Sequence, residues 1–369
     1  MKLSSWIVQI NSTRIFSGKD SLAGLENFRR SAHLDHKKVF ILVDPVTLEL
    51  CLPILLAKVP WFAGSKILSM PCGEETKTLE TAQRLWTELL ETKSGHDAMI
   101  ISLGGGVVTD MGGFVAAGFH RGISCMHIPT TLLGQVDAAI GGKTGVNLGK
   151  VKNQVGFFYP PAAIFIEPEF LATLPVEQLR SGFAEIVKSA LVGNAGLWHK
   201  LKSHPVHEII GMPFGSPLWQ HLVSRTISFK NQIITKDFAD TKNRKILNFG
   251  HTVGHAIESY SHDAGDHPLL HGEAVAIGMI CEAYLSSLKA GLPKEDLDEI
   301  STYIRMGFTP FKIDQVGQSR VLELMTHDKK NRNGQIMFSL LKEPGLSGIN
   351  ITCQADEISR ALNFYAMSS

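Results

Sequence analysis

The chain has 369 residues, enough for two domains that each close a hydrophobic core. Hydrophobic residues make up 44% and charged residues 19%, the balance of an ordinary globular protein rather than a disordered or fibrous one. A net charge of +1 removes the electrostatic argument for nucleic acid or a membrane surface as partner, although a local basic pocket can still hold a small anion.

The opening stretch, MKLSSWIVQINSTRIF, is too polar and alternating for a secretory leader, and no apolar run reaches spanning length. The five cysteines, Cys51, Cys72, Cys125, Cys281 and Cys353, form no CxxC pair, so neither a zinc ribbon nor a disulfide framework is expected. They read as reduced thiols of a soluble, cytoplasmic protein. Compact β-branched and aromatic runs at 38–43, 66–70, 98–103, 125–128 and 163–166 read as strands, with helical patterns at 79–92 and 108–119 between them. Such alternation predicts a mainly parallel sheet covered on both faces. Beyond Pro168 the strand signal fades. Segments 176–191, 218–236, 246–261, 272–290 and 297–306 read as helices, and 333–341 as a small late strand. The expectation is an α/β nucleotide-binding domain over 1–167 and a mostly α-helical domain over 168–369. A ligand would sit in the cleft between them.

The strand at 98–103 runs into Gly104-Gly105-Gly106-Val107-Val108-Thr109-Asp110, which opens a helix. Glycines there let the backbone approach a pyrophosphate, and the helix start supplies N–H donors. The turn is not GxGxxG, and taken alone it is also compatible with a plain tight turn. Asp44, at the end of the first run, can accept from ribose hydroxyls or simply start a turn before Pro45. Thr130 and Thr131 lead through Asp137 to Gly141-Gly142-Lys143-Thr144-Gly145-Val146-Asn147, with Lys150, Lys152 and Asn153 beyond. The spacing is wrong for a Walker A loop. Its lysines can meet a phosphate or carboxylate, or the segment is a solvated loop.

Glu185 and Lys188 lie three apart, one helical face apart. Locally that is a surface ion pair. The apolar neighbours suggest burial instead, and a buried glutamate needs a partner such as a metal. His251 and His255 share a helix face, and His271 begins another apolar helical run. With Glu185 they can hold Zn²⁺. The alternative is three hydrogen-bonded core histidines. His262 and His267 fall in a polar stretch and read as loop residues. Lys230, Arg244, His327, Lys329 and Lys330 are candidate anion contacts, each of which alone reads as a solvated charge.

In order, the segments GEETKT (73–78), GGGVVTD (104–110), RG (121–122), PTTLLGQVDAAIGGKTGVN (129–147), GKVKN (149–153), FLATLP (170–175), SGFAEIVK (181–188), LNFGHTVGHA (247–256), LHGEAVAIGM (270–279) and HDKKN (327–331) resemble the 3-dehydroquinate synthase family of the sugar-phosphate cyclase superfamily. The resemblance implies an enzyme that takes a seven-carbon sugar acid phosphate, 3-deoxy-D-arabino-heptulosonate 7-phosphate, to 3-dehydroquinate and phosphate on the shikimate route. It implies NAD and Zn²⁺, with Co²⁺ as a substitute, and a homodimer. Transient oxidation acidifies a C–H, phosphate is eliminated, hydride returns, and an aldol step closes the ring.

The same resemblance implies zinc on Glu185, His251 and His271, and makes His255 a substrate-side histidine. It implies NAD contacts from Asp44, Glu74, Lys77, Gly106, Val107, Val108, Thr109, Asp110, Thr130, Thr131, Lys143, Lys152, Phe170 and Thr173. Catalytic roles fall on Lys188, His255, Lys143, Arg121 and Asp137. Substrate contacts fall on Asn153, Lys230, Arg244, Asn248 and Lys329, the last preferred over Lys330. Departures are the 235–244 segment, where Asp240 replaces the usual glutamate, and Ala138-Ala139 where serines are common. The rival readings are a 2-deoxy-scyllo-inosose or 2-epi-5-epi-valiolone synthase, a metal-dependent polyol dehydrogenase, and a non-enzymatic relative. Asn248 favours the dehydroquinate branch, since rival cyclases tend to carry an acid there.

Overall fold

The computed structural model describes residues 6–10, 12–32, 34, 37–149, 151–264, 268–326 and 335–367. Contacts divide the chain into two units, Met1–Pro175 with Phe214–Gln220, and Val176–Pro213 with His221–Ser369.

The first unit holds β1 (Trp6–Ile10), β2 (Thr13–Ser17), β3 (Lys38–Val43), β4 (Lys66–Ser69), β5 (Ala98–Gly104), β6 (Ser124–Pro129), β7 (Lys143–Leu148), β8 (Val151–Phe158) and β9 (Ala163–Ile166). Among the described residues, seven of these form one sheet in the order β1-β2-β9-β6-β5-β3-β4. All neighbours from β2 to β4 are parallel, and β1 is an antiparallel edge. This is the mainly parallel sheet that the strand-helix alternation predicts. β5 is buried at every position, as a central parallel strand covered on both faces must be. Alternate residues feed two cores: Ile41, Val43 and Ile101 join Phe165 and Phe62 on one face, while Phe40, Leu42 and Ile100 join Leu85 and Phe114 on the other.

From β3 the chain steps outward to β4, then returns to the opposite side of β3 as β5. Strand order therefore reverses between β3 and β5. In open parallel sheets, that reversal leaves a crevice beyond the carboxyl ends of the two strands. Asp44 follows β3, and the triple-glycine turn follows β5 into helix α1 (Gly106–Gly118). Two hairpins were not anticipated: β1–β2, and β7–β8 in the stretch also readable as a solvated loop.

The second unit contains α2 (Val176–Gly193), most of α3 (Pro217–Lys236), α4 (His251–Ala264) and α5 (His271–Lys289). Helices Lys294–Gly307, Gln315–Thr326 and Ala355–Met367 complete it. The late strand appears as β10 (Ile336–Glu343), paired with an unanticipated β11 (Leu346–Cys353). α2 and α5 are buried along most of their length and pack on each other, so polar residues on their inner faces are forced into desolvated surroundings. Among the described residues, no helix is long and apolar enough to cross a membrane.

Candidate active site

Glu185 and Lys188 sit one turn apart on α2, their side chains only 1% and 2% exposed, and they form an ion pair. The local surface-pair reading thus gives way to a buried one. Both carboxylate oxygens of Glu185 are enclosed, Oε2 against the Lys188 ammonium. Its Oε1 lies 3.5 Å from His251 Nε2 and 3.7 Å from His271 Nε2. Three donors around a tetrahedral zinc, each about 2.0–2.1 Å from the ion, sit roughly 3.3 Å apart. These three atoms therefore suit one divalent ion.

His255 complicates the choice, because ring nitrogens of His251, His255 and His271 all lie within 4.8 Å of one another. A three-histidine set is also geometrically open. It would leave Glu185 Oε1, which lies within 3.7 Å of both the His251 and His271 rings, without a bond to the ion, whereas the Glu185 set uses it. On that ground we favour Glu185, His251 and His271.

The rings are oriented from behind. His251 Nδ1 lies 3.2 Å from the Phe249 carbonyl, and His271 Nδ1 lies 3.2 Å from Glu258 Oε2. Donation from each Nδ1–H leaves the Nε2 lone pair facing Glu185. Burial disfavours the charged form of His271, but the Glu185 and Glu258 carboxylates outweigh it and push the group up to about 10. A metal and a proton compete for the same nitrogen.

Close backbone approach makes this convergence possible. Gly272, at the start of α5, receives its position from α2: its N–H donates to Ser181 Oγ at 3.0 Å, and a Cβ there would lie 1.9 Å from the Ser181 carbonyl. The α4–α5 contact is equally tight, since a Cβ on Gly278 would lie 2.0 Å from the Gly250 carbonyl.

The cationic candidates divide. Arg244 and Lys230 are buried, at 5% and 6% exposure, which is unusual for solvated charges. The divergent loop before Arg244 is organised by Asp237, whose carboxylate accepts from the N–H groups of Thr241, Lys242 and Arg244. Burial alone would raise Asp237, but these donors pull it down to about 2. The Arg244 guanidinium donates to the Phe238 carbonyl at 2.9 Å. Asp240 adopts a left-handed backbone, φ 56°. Asn248 ends the short helical turn Asn243–Asn248, directly before the histidine helix. Lys150, His267, His327, Lys329 and Lys330 lie outside the described residues.

In the first unit, the expected nucleotide contacts gather at the carboxyl ends of the parallel strands. Thr109 N–H to the Gly105 carbonyl is the first bond at the head of α1, so the N–H groups of Gly106, Val107 and Val108 have no partner within the helix. Side chains at the glycines would fill this cradle: a Cβ on Gly105 would lie 2.9 Å from Thr131 Cγ2. Thr130 N–H joins the Gly104 carbonyl, and Thr173 follows β9 on the turn Pro168–Thr173. Phe170, on the same turn, is fully buried in the core. Beside the helix start, buried Lys77 bridges Glu74 Oε1 and Asp110 Oδ2, both at 3.0 Å. Burial works against its charge, but the two acids hold its pKa above the ordinary lysine value. Asp44 behaves as the turn reading requires, its Oδ1 capping the helix Pro45–Leu50 through Thr47 N–H at 2.7 Å.

Asp137 lies in the turn Gly134–Ala138. Lys143 opens β7, and Lys152 and Asn153 lie on β8. Arg121 is elsewhere. It follows α1, just before β6 begins, so it sits at the amino edge of the sheet, one 13-residue helix or roughly 20 Å from the glycine turn. His120, Arg121 and Gly122 are consecutively left-handed, with φ of 49°, 64° and 125°. Such backbone is strained for the two non-glycine residues.

Family models described as 3-dehydroquinate synthase N-terminal and C-terminal match residues 67–181 and 182–331. A 3-dehydroquinate synthase of Parabacteroides distasonis is 40% identical over 350 residues, 95% of this chain and 97% of the relative. The chain belongs to the 3-dehydroquinate synthase family. Another 3-dehydroquinate synthase, from Enterococcus faecalis, is 38% identical over 300 residues, 81% of each chain. Among solved structures, 2-deoxy-scyllo-inosose synthase complexed with carbaglucose-6-phosphate, NAD⁺ and Co²⁺ superposes with a TM-score of 0.82 at 23% identity, covering 98% of this chain and 99% of that one. 2-Epi-5-epi-valiolone synthase from Streptomyces hygroscopicus, with NAD⁺ and Zn²⁺ bound, gives 0.82 at 25% identity over 98% of both. Likeness at this level supports the fold. Within the 3-dehydroquinate synthase matches, the glycine turn lies in the N-terminal model and Glu185, His251 and His271 in the C-terminal one, whereas Asp44 precedes both.

Three polar residues escaped the sequence reading. Asn147 holds Glu74 through its Oε1 and carbonyl, at 3.0 and 2.9 Å. Glu258 backs His271, and fully buried Glu282 on α5 accepts from Gly250 and Val253 N–H at the start of α4. Asn147 stands inside a recognised segment without a marked role. The two glutamates lie on helical patterns where an acid normally means a solvated face.

Proposed function

We propose that this chain catalyses the 3-dehydroquinate synthase reaction, converting 3-deoxy-D-arabino-heptulosonate 7-phosphate to 3-dehydroquinate and phosphate. The observation that carries the reading is the meeting of Glu185 Oε1 with the Nε2 atoms of His251 and His271, on a chain of this family. Glu185, His251 and His271 would hold a divalent ion, zinc or cobalt, which when bound supplies a Lewis acid toward the substrate's hydroxyl and nascent carbonyl. NAD at the glycine turn would supply a hydride acceptor that returns its hydride in the same turnover.

The protein's own groups then position and balance charge. The N–H groups of Gly106, Val107 and Val108 face the cofactor's pyrophosphate, and the Glu74–Lys77–Asp110 cluster fixes that helix start. Thr130, Thr131, Lys143, Lys152 and Thr173 complete the cofactor side. Phe170, being core, shapes the turn rather than touching cofactor. Lys230 and Arg244 neutralise the substrate carboxylate, a task that suits buried cations held in place by their own hydrogen bonds. Lys188 and His255 would serve as the proton-transfer groups toward the substrate, and Asp137, Asn153 and Asn248 would orient its hydroxyls. The departing phosphate can act as the base for its own elimination, so the enzyme's part is chiefly positioning and electrostatics.

We assign the first unit, which extends past 167 to Pro175 and so takes in Thr173, chiefly to cofactor binding, and the second unit to metal and substrate. We propose a homodimer, a reading that two features of the first unit support. Arg121 is a helix length from the glycine turn, a placement that suits service to a second copy's site. Leu148, Val151, Phe157 and Phe158 on β7–β8 are 45–54% exposed, apolar surface that a partner would cover. Five free cysteines fit a reducing, cytoplasmic setting. The substrate is tested by offering the zinc-loaded protein the acid phosphate and, separately, glucose 6-phosphate or sedoheptulose 7-phosphate. Phosphate release and ring closure with the acid substrate alone is expected. Turnover of a neutral sugar phosphate alone would transfer the chain to a rival cyclase branch.

A further inference from the structure

Each histidine helix carries a carboxylate that reaches across to the other helix. Glu258 leaves α4 and meets His271 Nδ1 on α5 at 3.2 Å. Glu282 leaves α5 and accepts two N–H groups at the head of α4, Gly250 at 2.7 Å and Val253 at 3.1 Å. Gly250 has no side chain with which to cap that first turn, and its φ of 78° sets it outside the helix. The cap therefore comes from the neighbouring helix, as a fully buried carboxylate placed against the positive end of the α4 dipole.

One peptide unit connects this cap to the metal site. The N–H that Glu282 accepts belongs to the Phe249–Gly250 peptide. The carbonyl of that same peptide lies 3.2 Å from His251 Nδ1. Glu282 thus stands behind His251 through one peptide group, as Glu258 stands behind His271 directly. Hydrogen bonds in series polarise one another, so a carboxylate at the far end increases the donation that the near imidazole feels.

We propose that Glu258 and Glu282 form a reciprocal clasp, a pair of positioning residues that fix the orientation and spacing of His271 and His251 for the metal. The proposal rests on the metal assignment made under Proposed function. Neither carboxylate contacts the ion. Their removal loosens metal without removing a ligand.

The test is zinc affinity, measured by chelator competition on the full chain carrying Glu258→Gln, Glu282→Gln or both, with His271→Ala as reference. Glutamine keeps the volume and one acceptor and removes the charge. Glu258→Gln is expected to weaken zinc binding roughly 10- to 100-fold, and Glu282→Gln about 10-fold. In Co²⁺-loaded protein, the visible ligand-field bands should shift in both variants, a change that mere loss of stability does not produce. Circular dichroism verifies folding, and should Glu282→Gln not fold, the Glu258 arm decides. Unchanged zinc affinity and unchanged Co²⁺ bands in the folded variants, while His271→Ala loses zinc, overturn the clasp alone. Full zinc retention by His271→Ala overturns the metal assignment and the clasp with it.

Discussion

Glu185 is enclosed with Lys188 ion-paired to one oxygen and the His251 and His271 rings against the other, so an ion held at that second oxygen has two imidazoles beside it. Removing a ligand should therefore remove the ion. His271→Ala is expected to purify with little zinc and to lose turnover, read by metal analysis beside a phosphate assay; zinc at full stoichiometry would take His271 out of the set. The substrate arm separates from the cofactor arm at Arg244. Arg244→Ala should raise KM for the acid phosphate while NAD binding survives, and loss of NAD binding would contradict its placement. Asp237 supports a prediction about acid. Its carboxyl is held at about 2 against an ordinary 3.8, so its stabilising contribution is complete above pH 3.8 and disappears as pH falls through about 2. Asp237→Asn should lack that portion of the acid-induced loss, measured by denaturant unfolding across this range. An identical acid profile in the variant would show that the loop's N–H groups do not govern it. At this scale the sequence exposes the histidines and the buried glutamate well. It does not show which imidazole faces Glu185, nor that Glu258 and Glu282 serve the site, because those facts arise only when two helices pack.

Between elements, the α4–α5 contact sets the site's dimensions. A Cβ at Gly278 would collide with backbone, the Gly250 carbonyl, rather than with a side chain that can turn away. Gly278→Ala should cost about 1–3 kcal/mol in unfolding free energy and weaken zinc binding. Gly211→Ala, where an added Cβ meets nothing within 4 Å, supplies the comparison. Equal stability of the two variants would show that the helices are not closely docked. Five helices of the second unit were legible from period and length, several to within a few residues at each end, while Gln315–Thr326 and Ala355–Met367 were not. The β7–β8 hairpin was not, because β8 is exposed along almost its whole length and so lacks the inside-outside alternation that marks a strand. β11 escaped for a related reason, being exposed or half-buried at all but its last position, whereas β2 is buried at four of five positions but mixes polar residues with apolar ones over a short run.

In the molecule as a whole, strand order reverses at β3 and β5, and the glycine turn stands at that reversal. Strand-helix alternation foretold the parallel sheet, but strand order depends on which runs pair, and nothing local encodes it. Arg121 is the instructive case, for a motif places it among site residues while topology places it at the opposite edge of the sheet. Mixed dimers of Arg121→Ala and His271→Ala chains should therefore recover activity that neither parent has, and inactive mixtures would place Arg121 outside any shared site. A cyclase borrows a hydride and returns it. That return is tested most directly by supplying zinc-loaded protein with the seven-carbon acid phosphate and substoichiometric NAD, then recording phosphate and reduced nicotinamide together. Many phosphates released per NAD, with no net NADH, are expected. NADH rising in step with substrate consumed, without phosphate, would contradict the cyclase reading and point to a polyol dehydrogenase.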